Sequence, residues 1–242
     1  MSKVETSFKV LDQFSNSSTK IPYIVVDNFP QLGFLTSLRF LEWVDENPEG
    51  IISLPTGKTP EHFIKWTKYL LENWQDPNLQ KLRIANGLDL PKKPNLGGLH
   101  FVQIDEFYPI DSAQHNSFYN YVQHYYMDGF EMDPNKGLFI DCNKLPTAKG
   151  KPFTEIFLDS KVDLSLRFKN PSSKFEEEQQ ATILLVDQWC SEYEKKITDK
   201  GGIEFFLGGI GPDGHIAFNI RGSDHNSTTR LMGTNFETQA AA

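Results

Sequence analysis

The stretch Phe205-Phe206-Leu207-Gly208-Gly209-Ile210-Gly211-Pro212-Asp213-Gly214-His215-Ile216-Ala217-Phe218-Asn219 decides how this chain is read. Its apolar opening predicts a buried strand. The run stops at Gly208, Gly209 and Gly211, and Asp213 and His215 follow two residues apart. In an open α/β sheet, ligands bind at the loop that leaves the carboxyl end of a strand. An acid and an imidazole there have the makings of a proton-handling site. The glycines permit a tight, unusual backbone path. Asp213 is spaced to orient or charge-stabilise His215, since imidazole ordinarily exchanges its proton near neutral pH.

Upstream of this stretch lies the clearest helix. Ser173 and Glu176 have capping-box spacing. Glu176, Glu177 and Glu178 fill the first turn, and Lys195, Lys196 and Lys200 come late, in the order that complements the helix dipole. Gly201-Gly202 ends it. Further back, residues 21–26, 51–54 and 99–104 read as strands. Helices are expected over 30–45, from Pro60 onward and over 117–126. Residues 76–98 and 141–172 lack strong periodicity and read as irregular stretches, the second holding a short strand at 162–168. The β-α-β-α rhythm predicts an α/β fold, a mainly parallel Rossmann-like sheet in three α/β/α layers. Residues 1–20, polar and Ser-rich, are expected to form an N-terminal arm, and residues 21–242 a single domain.

Bulk properties narrow the function classes. A net charge of −8 over 242 residues gives no electrostatic reason for nucleic acid binding. It leaves room for an anionic small ligand, because a nest of backbone amides binds phosphate on an acidic protein. No apolar run approaches the ~20 residues of a membrane-spanning helix, and residues 1–5 lack the apolar region of a signal peptide. Cys142 and Cys190 are isolated. A reduced, cytoplasmic protein is the simplest expectation, and the sequons at Asn16 and Asn226 are then without meaning.

Two other strand ends carry chemistry. Pro55-Thr56-Gly57-Lys58-Thr59-Pro60 lies between a buried strand and a helix. Gly57 lets the backbone approach a ligand, unpaired amides at the helix start suit a phosphate, and Thr56, Thr59 and Lys58 add donors and charge. An ordinary turn with a Thr cap and Pro at the first helical position has the same spelling. Gln103-Ile104-Asp105-Glu106-Phe107-Tyr108-Pro109 sets two adjacent carboxylates at the end of an apolar strand. Alternation sends them to opposite sides, one toward a pocket as a base and the other toward structure. Capping a turn or pairing with a basic residue are the alternatives.

In this order, "LPTGKTP" at 54–60, "DEFYPI" at 105–110 with His115 and Ser117-Phe118 beyond it, and "LGGIGPDGHIAFN" at 207–219 resemble the glucosamine-6-phosphate deaminase/isomerase family. The resemblance runs from about residue 21 onward. The 6-phosphogluconolactonases share a related "DGH" segment, but Ile216-Ala217-Phe218-Asn219 looks more like the deaminase side. What the resemblance implies is a cytoplasmic enzyme of amino-sugar catabolism acting on a small sugar phosphate. It would need no metal or organic cofactor, bind neither nucleic acid nor membrane, and associate as a homo-oligomer. Asp213 and His215 would open the sugar ring, Asp105 would move a proton between C2 and C1, and Thr56, Gly57, Lys58 and Thr59 would hold the phosphate. Glu106, Gly209, Gly211 and Asn219 would line the pocket. A related isomerase, a lactone hydrolase and a non-catalytic sugar-phosphate binding module are the alternatives.

The chain departs from the family pattern at two places. Where the family has a Glu directly after the Asn of the signature, Ile220 stands, which neither relays a proton nor holds an imidazole; Asp224 is the next acid along. The last residues, 237–242, read as a helix just beginning, and the resemblance implies further elements supplying basic residues to the phosphate. Arg230 matches an effector-region arginine of the family, whereas Met232 stands where a second basic residue is expected, so allosteric activation of the family type is not expected.

Overall fold

A computed structural model describes residues 2–9, 20–211, 213–236 and 238. Most of the expected arm, the sequon at Asn16, Pro212 of the opening stretch and most of the terminal residues read as an incipient helix lie outside the described residues. The residues group into two compact units, each discontinuous in sequence.

The first unit takes in residues 1–50, 56–100 and 124–135. Helix α1 (Lys3–Lys9) occupies part of the expected arm and buries Val4 and Phe8. Asn28 caps α2 (Phe29–Glu46) by accepting from the Gln31 amide, and Pro30 sits in the first turn where its missing N–H is harmless. Helix α3 (Glu61–Glu72) packs against α2 closely enough that a side chain on Gly33 would run into His62. At this crossing Ser37 donates to the carbonyl of Phe63 and accepts from Thr67. Phe40, Phe63 and Phe130 form an aromatic cluster with centroids 5.5–6.5 Å apart.

Residues 76–98, expected to be irregular, contain α4 (Pro77–Ala85), capped by Asp76. Its periodicity is hidden because one core position is a charged residue. Arg83 is 2% exposed, lies 3.6 Å over the Trp74 ring and donates to the Trp74 carbonyl. Residues 21–26, expected as a strand, take no strand conformation; Ile21 and Val25 are exposed and Pro22 has no N–H for a ladder.

The second unit takes in residues 51–55, 101–123 and 136–242. Apart from His100 it contains the sheet, built from β1 (Ile51–Ser53), β2 (His100–Val102), β3 (Gly137–Leu138) and β4 (Phe205–Phe206), in the order β3-β2-β1-β4. β1 runs parallel to β4, with Ile52 opposite Phe205, and β2 runs parallel to β3, with Phe101 opposite Gly137. The α/β class with parallel pairing is therefore the observed one. Ser53, buried in the sheet, satisfies its hydroxyl by donating to the Val102 carbonyl at 2.7 Å.

After the short α5 (Phe118–Val122), the stretch 141–172 is packed rather than loose. It contains α6 (Phe153–Ile156), and residues 164–167, expected within a strand, form a 3₁₀ turn. Ala148, Ile156, Phe157 and Leu166 bury themselves against Ile183 of α7 (Lys174–Asp199). Ser173 caps α7 by accepting from the Glu176 amide, as its spacing predicts, and Gly201 and Gly202 follow with φ of 101° and 91°. Tyr193 of α7 places its hydroxyl 2.7 Å from the Gln103 carbonyl and 2.9 Å from that of Leu138, tying the helix to the carboxyl ends of β2 and β3.

Candidate active site

The ends of β2 and β4 feed a cavity of about 480 Å³ in the second unit. Its floor is apolar, with Ile140, Val186, Trp189 and Ile203 among its residues, and Asp105, Glu106, Tyr108 and Asn219 line it as well. Burying carboxylates in such a place alters their chemistry.

Although β2 ends at Val102, its direction is carried on by Gln103, which is 1% exposed. The Gln103 amide N–H donates to Leu138, its side-chain oxygen accepts from the Ile140 amide, and its side-chain nitrogen donates to the Asp105 carbonyl at 2.9 Å. One buried glutamine thus fixes the backbone that presents Asp105. Nothing in the sequence marked this role beyond a polar residue at the end of an apolar run.

The two carboxylates lie beyond the end of β2 and both line the cavity, so alternation does not send them to opposite sides; they differ in their partners. Asp105 Oδ1 is buried without a hydrogen-bond partner. Burial, with the Glu106 charge beside it, pushes the Asp105 carboxyl up to about 7. Glu106 is instead fully engaged. It accepts from the amides of Phe107, Phe118 and Tyr119 and from the Ser117 hydroxyl at 2.7–3.0 Å. Its carboxylate holds the start of α5 to the loop, and burial still raises its pKa despite those donors. His115 is exposed.

The glycine loop after β4 closes on itself. The Gly211 amide donates to the His215 carbonyl and the Gly214 amide to that of Gly211, both at 2.9 Å, with Gly214 at φ 83°. The result is the Asp213–His215 pair, with Oδ1 and Nδ1 2.5 Å apart. Two residues not singled out from sequence complete it. Asn235 donates to the other Asp213 oxygen at 2.6 Å, and the Thr238 hydroxyl lies 3.3 Å from His215 Nδ1. The Asn235 hydrogen bond is the main cause holding the Asp213 carboxyl below its ordinary range. Asp224 belongs to its own turn, accepting from the Asn226 amide, and not to His215. Gly209 is half-buried in the loop.

Asp213 and His215 do not themselves line the Asp105 cavity; the residues immediately after them do. Ala217 and Phe218 both have positive φ, at 49° and 58°. Such paired left-handed residues cost energy. What offsets the cost is packing: the Phe218 ring lies 4.7 Å from Phe107 and stacks on Phe118 at 5.5 Å. This turn joins the loop bearing Asp105 to the loop bearing His215. Asn219 accepts from Arg230 at 2.9 Å and donates to the Ile216 carbonyl.

Residues 56–59 belong to the first unit. Gly57 has φ 77°, and Lys58 and Thr59 are exposed. Pro60 occupies the cap position of α3 and no side chain caps it, so the turn is not the Thr-capped one. Among the described residues no cluster of His, Cys, Asp or Glu is arranged to hold a metal, and no helix is long and apolar enough to cross a membrane.

No family model matches the chain. Over 49 residues it is 59% identical to a glucosamine-6-phosphate deaminase of Caenorhabditis elegans, covering 20% of this chain and 18% of that protein. Over 47 residues it is 58% identical to a glucosamine-6-phosphate isomerase of Candida albicans, covering 19% of each. The matched stretches thus span about a fifth of the length of these curated relatives. Among solved structures, a monomeric glucosamine-6-phosphate deaminase superposes with a TM-score of 0.60 at 18% identity, over 89% of this chain and 66% of that one. Over that short segment the chain is similar to glucosamine-6-phosphate deaminases and isomerases, and its fold is similar to that of a solved deaminase.

Proposed function

We propose that the chain acts on an amino-sugar 6-phosphate, isomerising and deaminating glucosamine 6-phosphate to fructose 6-phosphate and ammonia. The observation that carries this reading is Asp105. It is a buried carboxylate with an unpartnered oxygen in a cavity of sugar size, with a pKa near the operating pH of a general base.

In this reading His215, oriented by Asp213, protonates the ring oxygen as the ring opens. Asp105 takes the proton from C2 and returns it to C1 through an enolamine. Water then adds at C2, and ammonia leaves. For loop 56–59, taken by itself, a phosphate-binding role through its amides, its threonine hydroxyls and Lys58 is proposed. No organic cofactor or metal enters these steps, and the compartment is proposed to be the cytoplasm.

The test is ammonia release from glucosamine 6-phosphate by the full chain, abolished in Asp105→Asn. Ketose formation or lactone cleavage without ammonia would move the assignment to a related isomerase or hydrolase. Ile220, where a proton-relaying Glu is the family pattern, favours a second reading as a sugar-phosphate binding module. Binding that raises Tm with no product in any assay would select it.

A further inference from the structure

Two residues of the cavity wall have a buried polar atom with no hydrogen-bond partner: Asp105, at Oδ1, and Tyr108, at its phenolic oxygen. Such atoms are rare because each forfeits its bond to water without replacement. Asp105 already has a role in the proposed chemistry; Tyr108 has none. Its ring is held by packing, edge-on to Phe157 at 5.9 Å and 78°, and against the cluster of Ile110, Cys142 and Leu145. Burial raises the phenol's pKa, so the hydroxyl keeps its proton at neutral pH and is available as a donor.

We propose that Tyr108 is a substrate-positioning residue, donating its hydroxyl proton to a hydroxyl of the sugar chain held in the same cavity as Asp105. The inference rests on the phosphosugar reading of that cavity. It adds a specificity element: a polyhydroxylated substrate satisfies the phenol, and an analogue lacking the bonded hydroxyl leaves it buried and unpaired.

The experiment compares the wild-type chain with Tyr108→Phe, which keeps the ring and removes only the oxygen. Glucosamine 6-phosphate and its 3-deoxy and 4-deoxy analogues are titrated by calorimetry, and Tm is recorded without ligand. The variant should bind glucosamine 6-phosphate about tenfold more weakly and lose the wild type's discrimination against one deoxy analogue. Its unliganded Tm should be unchanged or higher. Equal affinity in the two proteins overturns the proposal and leaves the phosphosugar reading standing, because the wild type binds. A drop in the unliganded Tm, or a variant that does not fold, also overturns it, since the hydroxyl then serves the fold. A wild type that does not bind glucosamine 6-phosphate overturns both the proposal and the reading beneath it.

Discussion

The imidazole of His215 occupies the space that a side chain on residue 211 would need: a Cβ built on Gly211 would overlap Cε1, Nδ1 and Nε2 of the ring. Gly211 does not have the positive φ that would demand glycine. Its lack of a side chain serves the ring rather than the backbone. Gly211→Ala should therefore displace the imidazole from Asp213. Ammonia release should fall by about 100-fold, the order expected for misplacing a reacting group by an ångström. Loss of the His215–Asp213 hydrogen bond in the imidazole NMR signals would locate the cause.

Asp105 gives activity and stability opposite dependences on pH. Its folded-state pKa, about 7, lies above the ordinary 3.8, so the folded protein binds the extra proton between those values. Stability contributed by Asp105 is thus lost as pH rises from about 4 to about 7 and is level above that. As a general base it needs the ionised form, so kcat/KM should rise with pH through about 7. Measured between pH 5 and 8, the Tm of Asp105→Asn should fall less than that of the wild type.

Glu106, beside it, should behave as a structural residue. Four donors converge on its carboxylate. Glu106→Ala orphans them and should cost on the order of 3 kcal/mol in urea unfolding. Glu106→Gln, which keeps two or more of those bonds, should cost less. It also removes the neighbouring charge, moving the acid limb of kcat/KM to lower pH.

At the turn between Ile216 and Asn219, Ala217→Gly should be neutral or stabilising by about 0.5–1 kcal/mol, because glycine takes positive φ without penalty. Phe218→Ala, in contrast, removes the packing that offsets the strain and should cost about 2–3 kcal/mol. Thermal unfolding of the two variants would separate backbone strain from aromatic packing.

The elements legible in the sequence were those with local signatures. Ser173 and the glycines after Lys200 bounded α7, and apolar runs ending in glycine or acid marked the strand ends. Helix α4 was not legible because Arg83 fills a core position, lying over the Trp74 ring and donating to the Trp74 carbonyl. The strand expected over residues 21–26 did not form. An apolar tally there did not register that Pro22 interrupts any ladder. At the site, β2 ends at Val102 and both Asp105 and Glu106 line the cavity, so strand alternation does not separate them and their hydrogen-bond partners do; the parts played by Gln103, Asn235 and Thr238 were not legible either. Each acts through side-chain hydrogen bonds set by tertiary structure, which leave no periodic trace. Sequence proximity to strand ends also did not reveal that His215 stands outside the lining of the Asp105 cavity. The direction in which a glycine loop turns is decided by what it later meets, here Phe107 and Phe118.

The stacking of Trp189 on Tyr193, with ring centroids 5.0 Å apart, equips the second unit with a built-in optical probe. The other three tryptophans, Trp43, Trp66 and Trp74, all belong to the first unit. Trp189 forms part of the cavity wall, on the helix whose Tyr193 hydroxyl touches the backbone leading to Asp105. A molecule entering the cavity changes the surroundings of this one indole. Its emission, isolated by replacing the other three with phenylalanine, reads occupancy without any label.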